Sequence, residues 1–432
     1  MSERREVSIK VPVLARVEGE GALDLEIRDG AISELKLRIF EPPRLFEKFL
    51  EGRAYHELPD FVARICGICP VAYQMSAVHA IEQAFGCEPG PWVRSMRRLL
   101  YCGEWLESHS LHVHLLALPD FLGFNSVTEM AKQYPDEVRR GLALQAIGNA
   151  IVAFFGGRSV HPVGVRVGGF YKAPSVADAK VLLHKVRERL GDAEALLRWS
   201  VRLDLPDMPQ AFTSVALRHE DEYPMNEGRI VSDAGHDLSL EEFEDHFREQ
   251  QAPHSTALHC HLDAQPYLVG PLARLNLNHE RLPAEVQSLL RECAIKLPSG
   301  NMFHSLIARA VEIYYALYEA QRILQNYYLP ETSYAETTPR AGVGYGCTEA
   351  PRGMLWHRYE LDDAGDIVSA TIVPPTSQNQ ARIEADLHHS LNAFGLDHDD
   401  AALRLHAETV VRNYDPCISC STHFLDLRVK RR

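Results

Sequence analysis

Two short cysteine pairs, Cys66-Gly-Ile-Cys69 and Cys417-Ile-Ser-Cys420, stand near opposite ends of a 432-residue chain. A Cys-x-x-Cys turn sets two thiolates within chelating distance, and two such turns make a four-sulfur site. If the pairs join, the fold must bring the two ends of the chain together, since nearly the whole sequence lies between them. Structural zinc is the ordinary reading of four cysteines, but its pairs usually staple one small module. Here 46% of the residues are hydrophobic, enough to build a core without a staple. A thioredoxin-like redox pair is a further alternative, although neither pair sits in a clear βαβ context. Four soft thiolates suit nickel, copper(I), zinc or iron, and sulfur chemistry alone does not choose among them. The other five cysteines (Cys87, Cys102, Cys260, Cys293 and Cys347) are scattered singly and read mostly as buried apolar residues.

Charge removes other classes of function. A formal net charge of −14 argues against nucleic-acid binding, which needs basic patches to meet phosphates. The acidic run near Glu241–Glu249 reads as a solvated helix face. No apolar run reaches the eighteen or so residues of a membrane span, so direct membrane insertion is not expected. The N-terminus shows no apolar signal core after its charged start, and the expected location is cytoplasmic, although a partner can carry an export address.

The periodicities predict an α+β protein, predominantly α, with a central bundle of long helices and peripheral β-hairpins. Leu23, Leu25 and Ile27 alternate with polar residues, and Asp29-Gly30 turns the chain into a returning strand at Ile32–Ile39. Helices are predicted over Arg44–Leu50, Ser76–Phe85, Trp92–Leu118 (stopped by Pro119), Pro135–Phe155 and Met302–Leu329. In the last of these, Leu306, Ala310, Ile313, Leu317, Ala320 and Leu324 line one face. A second hairpin spans Met354–Val373 around Asp362-Asp363-Ala364-Gly365. The chain reads as a single unit with an N-terminal hairpin region (1–60), the first cysteine pair with helices (61–200), a peripheral α+β insertion (201–260), and helices with the second pair (261–423).

The flanks of the pairs narrow the reading. Arg64-Ile-Cys66-Gly-Ile-Cys69 and Asp415-Pro-Cys417-Ile-Ser-Cys420-Ser-Thr-His423 resemble the signature motifs of nickel–iron hydrogenase large subunits. Arg16-Val-Glu18-Gly19, Gly156-Gly-Arg158, His161-Pro162, Gly168-Gly169, Glu349-Ala-Pro-Arg352-Gly353 and Pro374-Pro-Thr376 resemble further family elements, in family order. The resemblance therefore covers essentially the whole chain, and it implies the fold of that family's large subunit.

It also implies reversible heterolytic cleavage of H2 at a Ni–Fe(CO)(CN)2 centre. Cys66 and Cys417 would be terminal nickel ligands, and Cys69 and Cys420 would bridge nickel to iron. Glu18, expected in a mostly apolar setting with Val17 and Leu14 nearby, would relay protons. Read alone, it would be an exposed glutamate opening a strand. Arg352 would hold a fixed positive charge over the metals, with Asp415 as counter-charge; read alone it is a salt bridge at the rim of the core. Pro375 and Thr376 would hold a cyanide ligand, where Thr376 would otherwise be a turn hydroxyl. Glu47, the Ile372 carbonyl region and His423 would hold a second metal, magnesium or iron. Glu47 would otherwise pass as a helix-surface residue.

Two positions depart from the family pattern. Tyr73 stands where many relatives carry a histidine, and it cannot titrate near neutrality as histidine does. Ser108, before His109-Ser-Leu-His112, stands where many have an aspartate, which reduces the expected charge near Arg352. The segment from Cys69 to Ala77 is similar to the soluble, bidirectional NAD(P)-linked subgroup. The resemblance further implies a maturation protease that removes residues 424–432, and nickel-insertion proteins. Apart from the two pairs the chain has no clustered cysteines for iron–sulfur clusters and no Gly-x-Gly-x-x-Gly for a dinucleotide. Electrons must then leave through an iron–sulfur small subunit and onward to flavin- and NAD(P)-binding iron–sulfur subunits. The alternatives are a metal-free quinone-reductase relative, whose members typically lack the four cysteines, and a zinc-stabilised scaffold.

Overall fold

The computed structural model describes residues 7–42 and 44–422. The N-terminal hairpin forms as expected. Gly21–Arg28 pairs with Ala31–Ile39 in antiparallel register, and Asp29 and Gly30 both take positive φ at the turn. Leu23, Leu25 and Ile27 are buried on one face. A third strand, Val7–Val11, adds to this sheet with Val7 opposite Ile27.

Several helix boundaries move, each for a local reason. Leu45 is left-handed (φ 56°), so the first helix starts at Phe46 rather than Arg44 and runs to Leu50. The next long helix starts earlier than Ser76, at Pro70, directly after Cys69. Proline is well placed in a first turn, and the buried Glu104 carboxylate accepts the Val71 and Ala72 N–H groups at 2.6 and 3.0 Å. Pro119 does not stop the third helix. Pro91–Leu111 passes through a π-helical segment, His112–Ala117, into Leu118–Phe121, where Pro119 occupies a first turn and its missing N–H is not needed. Pro135–Gly156 follows, closed by left-handed Gly157.

The predicted Met302–Leu329 helix is a 3-10 turn (Met302–His304) leading into Ser305–Gln325. It ends before Leu329 because Pro330 disfavours helical backbone at the preceding residue. Leu306, Ala310, Ile313, Leu317, Ala320 and Leu324 are all buried. This helix is the centre of the bundle, packed between Pro91–Leu111 and Val176–Ser200. Inside it, Arg274 pairs with Glu312 at 2.8 Å and with Glu349 at 2.9 Å, all three side chains fully buried. Tyr223 and His109 also hydrogen-bond Glu312, so the buried charges are satisfied rather than stranded.

The stretch 201–260 contains Thr213–Arg218, which pairs with Arg229–Ser232 and with Tyr267–Leu268. The acidic run is a helix only over Phe243–His246; Phe247–Gln251 is a strand paired with Leu258–Leu262. Phe243 and Phe247 are pulled inward onto a small second core with Trp356, which ends the helical turn. The Met354–Val373 hairpin forms as strands Gly353–Leu361 and Ile367–Val373, extended by Gly342–Ala350. That added strand lies against the Pro70–Phe85 helix at Gly344 and Gly346, where a Cβ would come within 1.9 Å of the Ala80 carbonyl oxygen and 2.0 Å of that of Ser76. Two helices, Pro375–Phe394 and Asp400–Tyr414, complete the fold. Left-handed Asp415 (φ 57°) then turns the chain back toward the N-terminal sheet. Among the described residues no helix is long and apolar enough to cross a membrane.

Candidate metal centre

The fold joins the two cysteine pairs. The Cys66 and Cys417 sulfurs lie 3.4 Å apart, those of Cys69 and Cys420 4.0 Å, and those of Cys417 and Cys420 2.7 Å. All four fall within 4.8 Å of one another and all four residues are buried. The first pair sits on a tight turn in which the Ile68 and Cys69 N–H groups donate to the Cys66 sulfur, both at 3.3 Å. The second pair leads into a 3-10 turn, Ser419–Thr422.

Polar side chains clamp the two turns together. The Arg44 guanidinium donates to the carbonyls of Ile65 and Ser419, one beside each pair. Its backbone N–H donates to the Thr422 carbonyl at 2.7 Å. The Ile418 N–H donates to the Glu18 carbonyl at 3.0 Å, so the N-terminal segment runs beside the second pair as a bridge. The Thr376 hydroxyl oxygen, one residue past Pro375 in the first turn of its helix, accepts the Cys417 N–H at 3.0 Å.

Glu18 is not in the mainly apolar setting expected for it. Its carboxylate accepts the Ser419 N–H at 3.1 Å, the Ser419 hydroxyl at 2.5 Å and the Cys417 thiol at 3.2 Å. The nearby turn supplies these donors, which neighbouring sequence could not reveal. Arg352 is 4% exposed and grips Asp415, with Nε 3.0 Å from the carboxylate and 2.8 Å from the carbonyl oxygen. Its Nη1 is buried and has no hydrogen-bond partner among the described residues, while its charge acts on the sulfurs of Cys417, Cys69 and Cys66. Glu47 accepts the Ile372 N–H at 2.7 Å, so these two residues are neighbours. His423 lies outside the described residues, as does the 424–432 tail.

Tyr73 is fully buried, and its hydroxyl has no hydrogen-bond partner among the described residues. Burial, then the nearby sulfurs, push its phenol far up. Ser108 is buried as well, and it brings no charge to the surroundings of Arg352. Glu107, its neighbour, is an acid near Arg352 that no sequence motif marks. Burial, then the Cys66 sulfur, push its carboxyl up to about 8, with Arg352 pulling it down. Glu104 and Glu107, spaced i,i+3 in an otherwise buried helix, were the available signal. Arg44 and Ser419 offered none.

The chemistry of this donor set fits a cationic metal group that carries polar ligands of its own. Burial pushes the Cys417 thiol up, whereas hydrogen bonds from Cys417 and Cys420 draw Cys66 down. Several buried thiolates together demand compensating positive charge. The unpartnered Arg352 and Tyr73 donors suit a group that brings its own acceptors.

Comparison with known proteins agrees with this geometry. A family described as nickel-dependent hydrogenase matches residues 44–140 and 236–423. The chain is 32% identical to sulfhydrogenase 2 subunit alpha of Pyrococcus furiosus over 97% of this chain and 100% of that protein. It is 27% identical to the NAD-reducing hydrogenase HoxS subunit beta of Cupriavidus necator, covering 95% and 94%. A crystal structure of an NAD+-reducing [NiFe]-hydrogenase in the H2-reduced state superposes with a TM-score of 0.88 at 28% identity, covering 96% and 99%.

Proposed function

The chain belongs to the nickel-dependent hydrogenases, and we propose that it works as the catalytic large subunit of a soluble, NAD(P)-linked complex. It is an α+β hydrogenase subunit built for H2 oxidation at a Ni–Fe site. The observation that supports the Ni–Fe reading is the enclosure of four sulfurs from both chain ends, with a carboxylate hydrogen-bonded to one of them. Cys66 and Cys417 would hold nickel alone, and Cys69 and Cys420 would bridge it to an iron carrying carbon monoxide and cyanide. When bound, that group supplies the Lewis acidity and redox capacity that heterolytic cleavage of H2 requires.

The surrounding residues handle the proton and the charge. Glu18 takes a proton from the Cys417 sulfur across one 3.2 Å hydrogen bond and passes it outward. The Ser419 donors fix the carboxylate in that pose. Arg352, pinned by Asp415, keeps a fixed positive charge at the sulfurs, where a preorganised cation stabilises developing negative charge. Pro375 and Thr376 would hold a cyanide, with the Thr376 hydroxyl proton as donor. Glu47 and the Ile372 backbone, with His423, would hold a second cation, magnesium or iron. Electrons leave to an iron–sulfur small subunit and then to flavin- and NAD(P)-binding subunits, in the cytoplasm. The NAD(P) step is supported by the NAD-reducing relative and by the NAD+-reducing structural neighbour.

Infrared spectroscopy of the subunit matured in a host that supplies nickel tests the site, because bound carbon monoxide and cyanide absorb where protein does not. Bands from both ligands, with H2-dependent dye reduction, are expected. Zinc bound by the four cysteine sulfurs and no such bands would mean a scaffold instead. H2-dependent reduction of NAD+ or NADP+ by the copurified complex tests the electron acceptor.

A further inference from the structure

Outside the cysteine centre, three side chains from separate elements converge on one point. His254 lies in the loop after the Phe247–Gln251 strand, His259 on the Leu258–Leu262 strand, and Glu384 on the Pro375–Phe394 helix. His254 Nε2 is 2.8 Å from Glu384 Oε1, and His259 Nε2 is 3.4 Å from Glu384 Oε2. The imidazole centroids are 5.6 Å apart and nearly perpendicular. One ligand atom from each residue lies within 4.8 Å of the others. Around a tetrahedral zinc ion, with bonds of about 2.0–2.1 Å, neighbouring donors stand about 3.3 Å apart, close to the spacing seen here.

Burial separates this trio from a chance surface cluster. His259 is 6% exposed, and neither of its ring nitrogens makes a well-formed hydrogen bond among the described residues. A buried imidazole normally finds a partner. The side chains of His254 and Glu384 keep about a fifth of their surface open (19% and 20%), so water can reach a fourth position. The carboxylate is also oriented from behind, because Glu384 Oε1 accepts the Leu37 N–H at 2.9 Å. Such outer contacts aim a metal-binding carboxylate.

We propose that His254, His259 and Glu384 form a second, independent site for a divalent transition metal of the zinc class. Two neutral imidazoles and one carboxylate, with an open fourth position, are a known zinc donor set. The ion would staple three parts of the fold. Glu384 reaches the N-terminal sheet through Leu37. Thr256, between the two histidines, donates through its N–H to the Ile39 carbonyl at 2.7 Å and through its hydroxyl to that of Glu41 at 2.9 Å. The Glu384 helix begins at the Thr376 turn that holds Cys417. The ion would thus tie together elements that also border the cysteine centre. Nothing in it depends on which metals the cysteines hold.

Zinc titration of the nickel-loaded enzyme, followed by metal analysis after gel filtration, tests this. One tightly held zinc per large subunit is expected. A His254→Ala/His259→Ala variant should bind it at least tenfold more weakly. A His236→Ala/His246→Ala variant should bind it unchanged, which separates the site from the more exposed trio His236, His246 and Asp263. Zinc X-ray absorption on the unmodified enzyme, which needs no variant to fold, should show nitrogen and oxygen neighbours and no sulfur. No retained zinc, a sulfur shell, or equal binding by the His254/His259 variant would each overturn the proposal. Failure here leaves the infrared signature of the cysteine centre untouched, so the two readings fall separately.

Discussion

Glu18 is held by two donors from Ser419 and faces the Cys417 sulfur, so its replacement can be made nearly isosteric. Glu18→Gln keeps an oxygen to accept the Ser419 N–H but gives up the proton shuttle. We expect nickel content to stay at the wild-type level while H2-dependent dye reduction falls about a hundredfold or more, the usual scale for losing a positioned acid–base group. A fully loaded variant with near wild-type turnover would remove Glu18 from the proton path. At this scale the cysteines were legible because chelation needs a particular residue type at a particular spacing. Glu107 was harder to see. Its burial beside Cys66 and Arg352 depends on which face of a long helix turns inward. Arg44 was invisible, because its work is to reach two backbone carbonyls that only the fold brings near.

Among the elements, the contact between the Gly342–Ala350 strand and the Pro70–Phe85 helix leaves no room for side chains at Gly344 and Gly346. Gly346→Ala would drive a methyl into the Ser76 carbonyl, and overpacking of this kind costs about 1–3 kcal/mol or more. Gly30→Ala has open space around it and a positive φ, for a cost of about 1–2 kcal/mol from the left-handed backbone alone. Gly346→Ala should have the lower urea midpoint of the two; a Gly346→Ala midpoint equal to that of the unmodified protein would mean that the strand and helix separate without penalty. The hairpins were legible because period-two alternation flanks turn residues at both. The Val176–Ser200 helix was not. Its inward residues, Ala179, Leu182, Val186, Ala193, Leu196 and Leu197, are interleaved with charges and partly small. The π-helical segment before Pro119 also has no sequence signature, since proline reads equally as a stop or as a first turn.

Across the whole molecule, the buried histidines set the response to acid. Burial first of all pushes His109 and His114 down to about 4 and His112 to about 3. Each is neutral in the folded protein, whereas an unfolded chain takes up protons below about 6.5. Folded stability from these groups is therefore complete above pH 6.5 and is lost as pH falls toward 4, at about 1.4 kcal/mol per pH unit for each extra proton bound on unfolding. Urea unfolding of the purified subunit between pH 8 and 4 reads out this contribution, against which Glu107, held up near 8, acts in the opposite sense. His114→Asn should lower that slope by about one proton; a slope unchanged by the substitution would contradict the burial argument. The overall class, a helix bundle with sheets at its margins, was legible from periodicity. The inward position of Tyr223, from the 201–260 stretch, was not, since polar sequence around it conceals one buried phenol. The last structural consequence concerns time. The cysteine tetrad takes half its sulfurs from a turn near residue 66 and half from the final segment, locked together by Glu18 and Arg44. A ribosome must therefore have released almost the entire polypeptide before the four-sulfur pocket exists, and any nascent chain truncated before Cys417 carries only two ligands, however well its bundle has folded.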